Sequence, residues 1–166
     1  MRKVEKIHMN VTRKEKGFTI IEVVLVLAIA GLIFLMVFIA LPALQRSQRD
    51  TQRRQDVSRV LTQVTSYVNN NRGSIPTSLI ALTSGKSFVQ NYLAGTAANT
   101  AGTDYQDPTT GPYVFVDGST PAQGQIAYAY KAVCGTDGST NPGTARQFAL
   151  TIYLESQATP YCVDNH

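Results

Sequence analysis

From Val23 to Leu44 the chain carries no charged residue. Those 22 residues, at about 1.5 Å each, make a helix of about 33 Å, enough to cross the hydrocarbon of a bilayer. The run begins abruptly. Basic residues stop at Lys16, Gly17 follows, and one carboxylate, Glu22, stands at the apolar edge. A charge near the centre of a membrane helix costs roughly 2.5–3.5 kcal/mol, so the position of Glu22 asks for a reason. With 166 residues in all, the chain divides into a membrane segment and one small domain behind it.

Four regions separate by composition. Residues 1–17 are a short basic leader, with six Lys or Arg against two Glu. Residues 18–44 are the hydrophobic segment. Residues 45–72 are polar with a helical pattern, and residues 73–166 are rich in Gly, Thr, Ser, Asn and Pro. The net charge of +4 lies entirely in the leader; the rest holds nine bases and nine acids. If the leader is removed, the basic pI no longer describes the protein, and a nucleic-acid reading built on global charge loses its support.

In the third region Val57, Val60, Leu61, Val64 and Val68 recur at helical spacing and form one apolar face. Nothing between Leu44 and Val68 breaks a helix. The simplest reading is one helix from about Phe18 to about Asn70, on the order of 80 Å long. The run Asn69–Gly73 then ends it, because Asn and Gly tolerate left-handed backbone. The Val/Leu stripe needs cover, which residues 73–166 supply. There "IPTSLIALTSG" and "KSFVQNYLAG" read as short helices, and Gly95–Gly111 reads as loop. "PYVFVDG" sets Tyr113 and Phe115 against Val114 and Val116, "QIAYAYKAVC" sets Ile126, Tyr128 and Tyr130 against Ala127, Ala129 and Lys131, and "QFALTIYLE" puts Phe148, Leu150, Ile152 and Leu154 on one face. The three runs read as antiparallel strands laid on the helix, an α+β arrangement. Cys134 and Cys162 are the only cysteines. If this region is exported, they pair, and closing a loop of about 29 residues stabilises by about 3.6 kcal/mol in the chain-entropy model. The alternative is two free thiols in a reducing compartment.

The stretch Lys16-Gly17-Phe18-Thr19-Ile20-Ile21-Glu22, followed by the uncharged run, closely resembles the N-terminus of type IV prepilins, with their class III signal peptide. An ordinary secretory signal fits less well: the apolar run is too long, and "LPALQRSQR" is a poor cleavage site. The resemblance implies a lollipop-shaped subunit, its long helix packed on a small three-stranded head. It implies cleavage between Gly17 and Phe18 by a prepilin peptidase, which also methylates the new amine of Phe18. In the family the glutamate meets the N-terminal amine of an adjoining subunit, which makes Glu22 a registration charge. Gly31 and Pro42 weaken the helix, Pro42 by removing the hydrogen bond to the Phe38 carbonyl; in the family such a segment partly melts in the filament. The partners implied are copies of the chain, the peptidase, the assembly machinery, and membrane lipid before assembly. The precursor would sit in the cytoplasmic membrane with its leader inside and its head outside, then move into an extracellular pilus. The positive-inside rule favours that orientation slightly, six Lys/Arg in the leader against five at residues 45–60. A pseudopilin of a secretion or competence system, and an anchored binding module that never polymerises, are the other readings.

Enzyme chemistry finds no support: the histidines are His8 and His166, and no nucleophile–base pair, phosphate loop or zinc spacing occurs. No cofactor is implied. Asp104, Asp107 and Asp117 match no calcium-loop spacing, and no metal site is assigned. "DPTTGPY" resembles a loop before the first strand of many pilins and pseudopilins. Arg46, Arg49 and Arg53 share a helix face that reads as solvated surface, or as a contact for a neighbour's acidic head, since residues 73–166 hold three bases and six acids. DNA contact by that stripe has no motif behind it.

Overall fold

The computed structural model describes residues 17–81, 85–118 and 120–166. Most of the leader, residues 1–16, lies outside them. Helix α1 runs Ile20–Asn70 and passes through Gly31 and Pro42 without a break. The chain divides into two compact units, residues 1–41 and 42–166.

In the first unit, the apolar side chains from Phe18 to Leu41 are exposed almost throughout. Helix α1 holds a window of mean hydropathy 3.2, none of it buried within the protein, and by length and composition it can cross a membrane.

The second unit is built on the remainder of α1. Val57, Val60 and Val64 are fully buried, with Leu61 and Val68 packed at the margin. The helix ends where Arg72 (φ +55°) and Gly73 (φ +81°) turn left-handed and the Gly73 N–H reaches back to the Val68 carbonyl at 2.8 Å. Residues 75–81, expected as helix, contain none; the chain passes through bends anchored on Leu79. Helix α2 is short, Phe88–Tyr92, and opens on a capping box between Ser87 and Gln90.

The sheet is larger and less regular than three antiparallel strands. Among the described residues eight strands follow: β1 (Gln106–Asp107), β2 (Gly111–Pro112), β3 (Val114–Asp117), β4 (Gln125–Tyr130), β5 (Ala132–Cys134), β6 (Thr140–Pro142), β7 (Phe148–Ile152) and β8 (Tyr161–Asp164). The main sheet has the order β3-β4-β7-β8, and β1-β2 and β5-β6 are separate ribbons. Two expectations change here. The strand expected over 125–134 breaks at Lys131, whose φ is +54°, so β4 pairs with β7 while β5 turns away to β6. In addition β3 and β4 are parallel, with Val114 opposite Gln125. Parallel neighbours normally need a long crossover. Here β3 is only four residues long, so residues 118–124 have to return only about 10 Å, well within their extended reach.

Strand β7 is buried at every position, as suits a central strand. Phe148, Leu150 and Ile152 join Phe115, Ile126 and Tyr128 in the core that receives the α1 stripe.

Candidate functional site

The most concentrated electrostatics lie in the second unit, where the sequence suggested a solvated arginine face. Arg53 is completely buried. Its Nε donates to Asp107 Oδ2 at 2.6 Å, its Nη1 to Asp50 Oδ1 at 3.0 Å, and its Nη2 to Asp107 Oδ1 and Thr109 Oγ1, each at 3.1 Å. Glu155 adds a contact at 2.8 Å and is itself held by Arg49 at 2.6 Å. Asp50 accepts the backbone N–H groups of Glu155 and Ser156, each at 2.8 Å. Asp107 accepts the N–H groups of Thr109 and Thr110. One guanidinium therefore joins α1, the β1–β2 turn and the segment between β7 and β8. No buried side-chain nitrogen or oxygen among the described residues lacks a partner, which is the condition under which buried charge is tolerated.

The pKa directions follow from this geometry. Burial pushes the Asp107 carboxyl up, but hydrogen bonds from Arg53 and Thr109 outweigh it and bring it down to about 2. Burial also acts on Asp50, and hydrogen bonds from Ser156, Glu155 and Arg53 overcome it downward. Glu155 is lowered chiefly by Arg49. Asp56 goes the other way: burial raises it despite Arg59 and the Tyr113 hydroxyl. A carboxyl with a depressed folded pKa stabilises above its unfolded value and loses that contribution as pH falls through the folded one. We expect acid unfolding of this unit to steepen between about pH 4 and about pH 2. Asp56 opposes the trend, because its protonation relieves a buried charge. Circular dichroism against pH checks this, and Asp107→Asn should flatten the limb.

In the first unit, Gly17 is exposed, and a side chain there would meet nothing within 4 Å. Phe18 is 84% exposed. Thr19 caps α1: its Oγ1 accepts the Glu22 N–H at 3.4 Å, and its carbonyl accepts the same N–H at 3.1 Å. Thr19-Ile20-Ile21-Glu22 thus has the spacing of a capping box, a signal that is present in the sequence itself. Glu22 lies in the first helical turn, where the helix dipole favours a negative charge. Phe18 and Glu22 flank one shallow groove with Val23, Val26 and Leu27. Gly31 faces open space.

Residues 12–38 match the family model of the prokaryotic N-terminal methylation motif. The chain carries the class III signal of type IV pilins. That motif indicates a type IV pilin-like or pseudopilin protein, and the signal with its apolar helix fits a membrane-anchored precursor. No curated protein and no solved structure matches the chain.

The other singled-out residues are placed as follows. Cys134 and Cys162 are joined in a disulfide across 28 positions, linking β5 to β8, and Asp164 Oδ2 accepts the Cys134 N–H at 2.7 Å. Reduction should lower stability by about 3.6 kcal/mol, read as a shift in the denaturation midpoint of the full chain with and without reductant. Asp104, Asp107 and Asp117 do not converge. Asp107 is committed to Arg53, Asp117 accepts the Ser78 hydroxyl, and Asp104 is exposed. Of the arginine face, Arg46 alone stays exposed, because Arg49 and Arg53 are paired within the chain.

Proposed function

We propose that the chain is a structural subunit of a type IV pilus, cut between Gly17 and Phe18, methylated at Phe18 and polymerised through the first half of α1. Supporting this reading is the exposed apolar surface from Phe18 to Leu44, most of which lies within the matched methylation motif. That surface is stable in lipid before assembly and against like helices afterwards, since apolar area kept from water contributes about 25 cal/mol per Å². Residues 1–17 are the leader, 18–44 the membrane and polymerisation segment, 45–72 the amphipathic half and 73–166 the head. Glu22 is the assembly charge, and Gly31 and Pro42 mark the stretch of helix that loosens on packing.

The test is electron microscopy of cell-surface fibres labelled with antibody to residues 73–166, with mass spectrometry of the labelled subunit. The expected result is long fibres whose subunit begins at a methylated Phe18. Short stubs confined to the envelope mean a pseudopilin, and a processed chain found only in the membrane means an anchored module. Either outcome removes the pilus reading.

A further inference from the structure

Beside the end of α1 lies an open cleft of about 450 Å³, within the range of small-molecule sites. One wall is a set of three rings. Phe88 and Tyr92 stack at 4.9 Å between centroids, and Tyr67 meets them edge-on at 5.7 and 5.4 Å. Rings fixed against one another lose little further freedom when a ligand arrives. The segment after α1 also lines the cleft, and it is held in place. The Tyr128 hydroxyl donates to the Pro76 carbonyl, and Ser78 Oγ donates to Asp117 and accepts two backbone N–H groups.

The cleft is polar as well as aromatic, and several of its polar groups are unspent. The Tyr67 and Tyr92 hydroxyls and the Asn91 and Thr77 side chains make no hydrogen bond among the described residues. Lys86 is exposed and makes no ion pair among them. No carboxylate is among the described lining residues. Hydroxyl and amide groups recognise hydroxyls, ring faces accept the C–H face of a pyranose, and a lone ammonium selects one negative charge. A peptide would instead call for paired backbone groups or an apolar pocket.

We propose that this cleft binds an acidic saccharide, a uronic-acid unit held by its carboxylate on Lys86 and by its ring face and hydroxyls on Tyr67, Tyr92 and Asn91. The proposal does not rest on polymerisation and goes beyond it: the head would carry its own ligand site.

The full chain in detergent micelles is titrated by calorimetry with trigalacturonate, with galactotriose and with a tri-glutamate peptide. Trigalacturonate should bind, galactotriose more weakly, and tri-glutamate weakest. Lys86→Gln and Asn91→Ala change exposed side chains and should leave thermal unfolding unchanged. Lys86→Gln should weaken trigalacturonate roughly tenfold or more, the scale of one lost charged hydrogen bond. The proposal is overturned by no binding at about 10 mM, where even a weak site fills. It is equally overturned by unchanged affinity in Lys86→Gln, or by tri-glutamate binding as well as trigalacturonate, which would leave only charge attraction. Because the chain is unassembled in micelles, none of these outcomes bears on the pilus reading.

Discussion

Arg53→Met should destabilise the C-terminal unit by about 3–5 kcal/mol, the cost of leaving buried charge without its partner. The side chain of Asp107 is fully buried and that of Asp50 is nearly so. With the guanidinium gone, two carboxylates face each other's field with only backbone and hydroxyl donors left. At roughly 2–4 °C per kcal/mol for a unit of this size, the thermal midpoint should fall on the order of 10 °C. Asp107→Asn should cost less, because the amide oxygen still accepts from Thr109 and Thr110. The usual remedy for a buried ion pair, apolar replacement of every member, should fail here. Asp50 and Asp107 satisfy four backbone N–H groups that an apolar residue would orphan. Thermal unfolding of the full chain in detergent, run on Arg53→Met and Asp107→Asn, checks the order. A loss under about 1 kcal/mol for Arg53→Met, the range of a surface ion pair, would show the cluster to be solvated.

That cluster also marks the limit of reading this sequence by hydrophobic period. The α1 stripe at Val57, Val60 and Val64 was legible because its members are apolar. The same 3-and-4 spacing continues upstream through Asp50 and Arg53, which are equally buried. A pattern that counts only apolar residues stops at Val57, although Asp50 followed three residues later by Arg53 on an extended stripe was a visible signal. The helix and the methylation motif were legible for a simpler reason: both are local, one a run without charge and the other a contiguous string. Strand pairing is not local. Lys131 splits one alternating run between two partners by a single left-handed residue, and nothing in the alternation of 125–134 reports it. The parallel pairing of β3 with β4 depends on β3 ending after four residues, a length set by packing. Strand β8 forms where Cys162 is tied to Cys134, so the cysteine pair pointed to the place but not to the pairing with β7.

Glu22 variants should abolish filament yield while leaving processing and membrane insertion intact, under the pilus reading. The reason for choosing Glu22→Gln beside Glu22→Ala lies in the geometry of the first turn. Glu22 has a local role as well, at the third position of a helix capped by Thr19. An acid in the first turn contributes typically 0.3–1 kcal/mol through the dipole. Loss of that much frays a turn but cannot dissolve a fibre. Glu22→Gln keeps the capping spacing and the size and removes the charge alone. If Glu22 serves only its own helix, Glu22→Gln should assemble normally. If it pairs with a cation among packed helices, Glu22→Gln should fail as badly as Glu22→Ala, and Glu22→Asp should restore part of the yield. Under the pilus reading, leader cleavage would create such a cation, the amine of Phe18, which methylation would leave charged. In lipid a lone carboxylate costs roughly 2.5–3.5 kcal/mol near the bilayer centre and less toward the headgroups. Under the same reading, pairing with a neighbour's amine would remove that cost, and the charge would then favour leaving the bilayer for the fibre. Normal fibre yield from Glu22→Gln, counted by electron microscopy against equal amounts of processed subunit, would end this account of the glutamate.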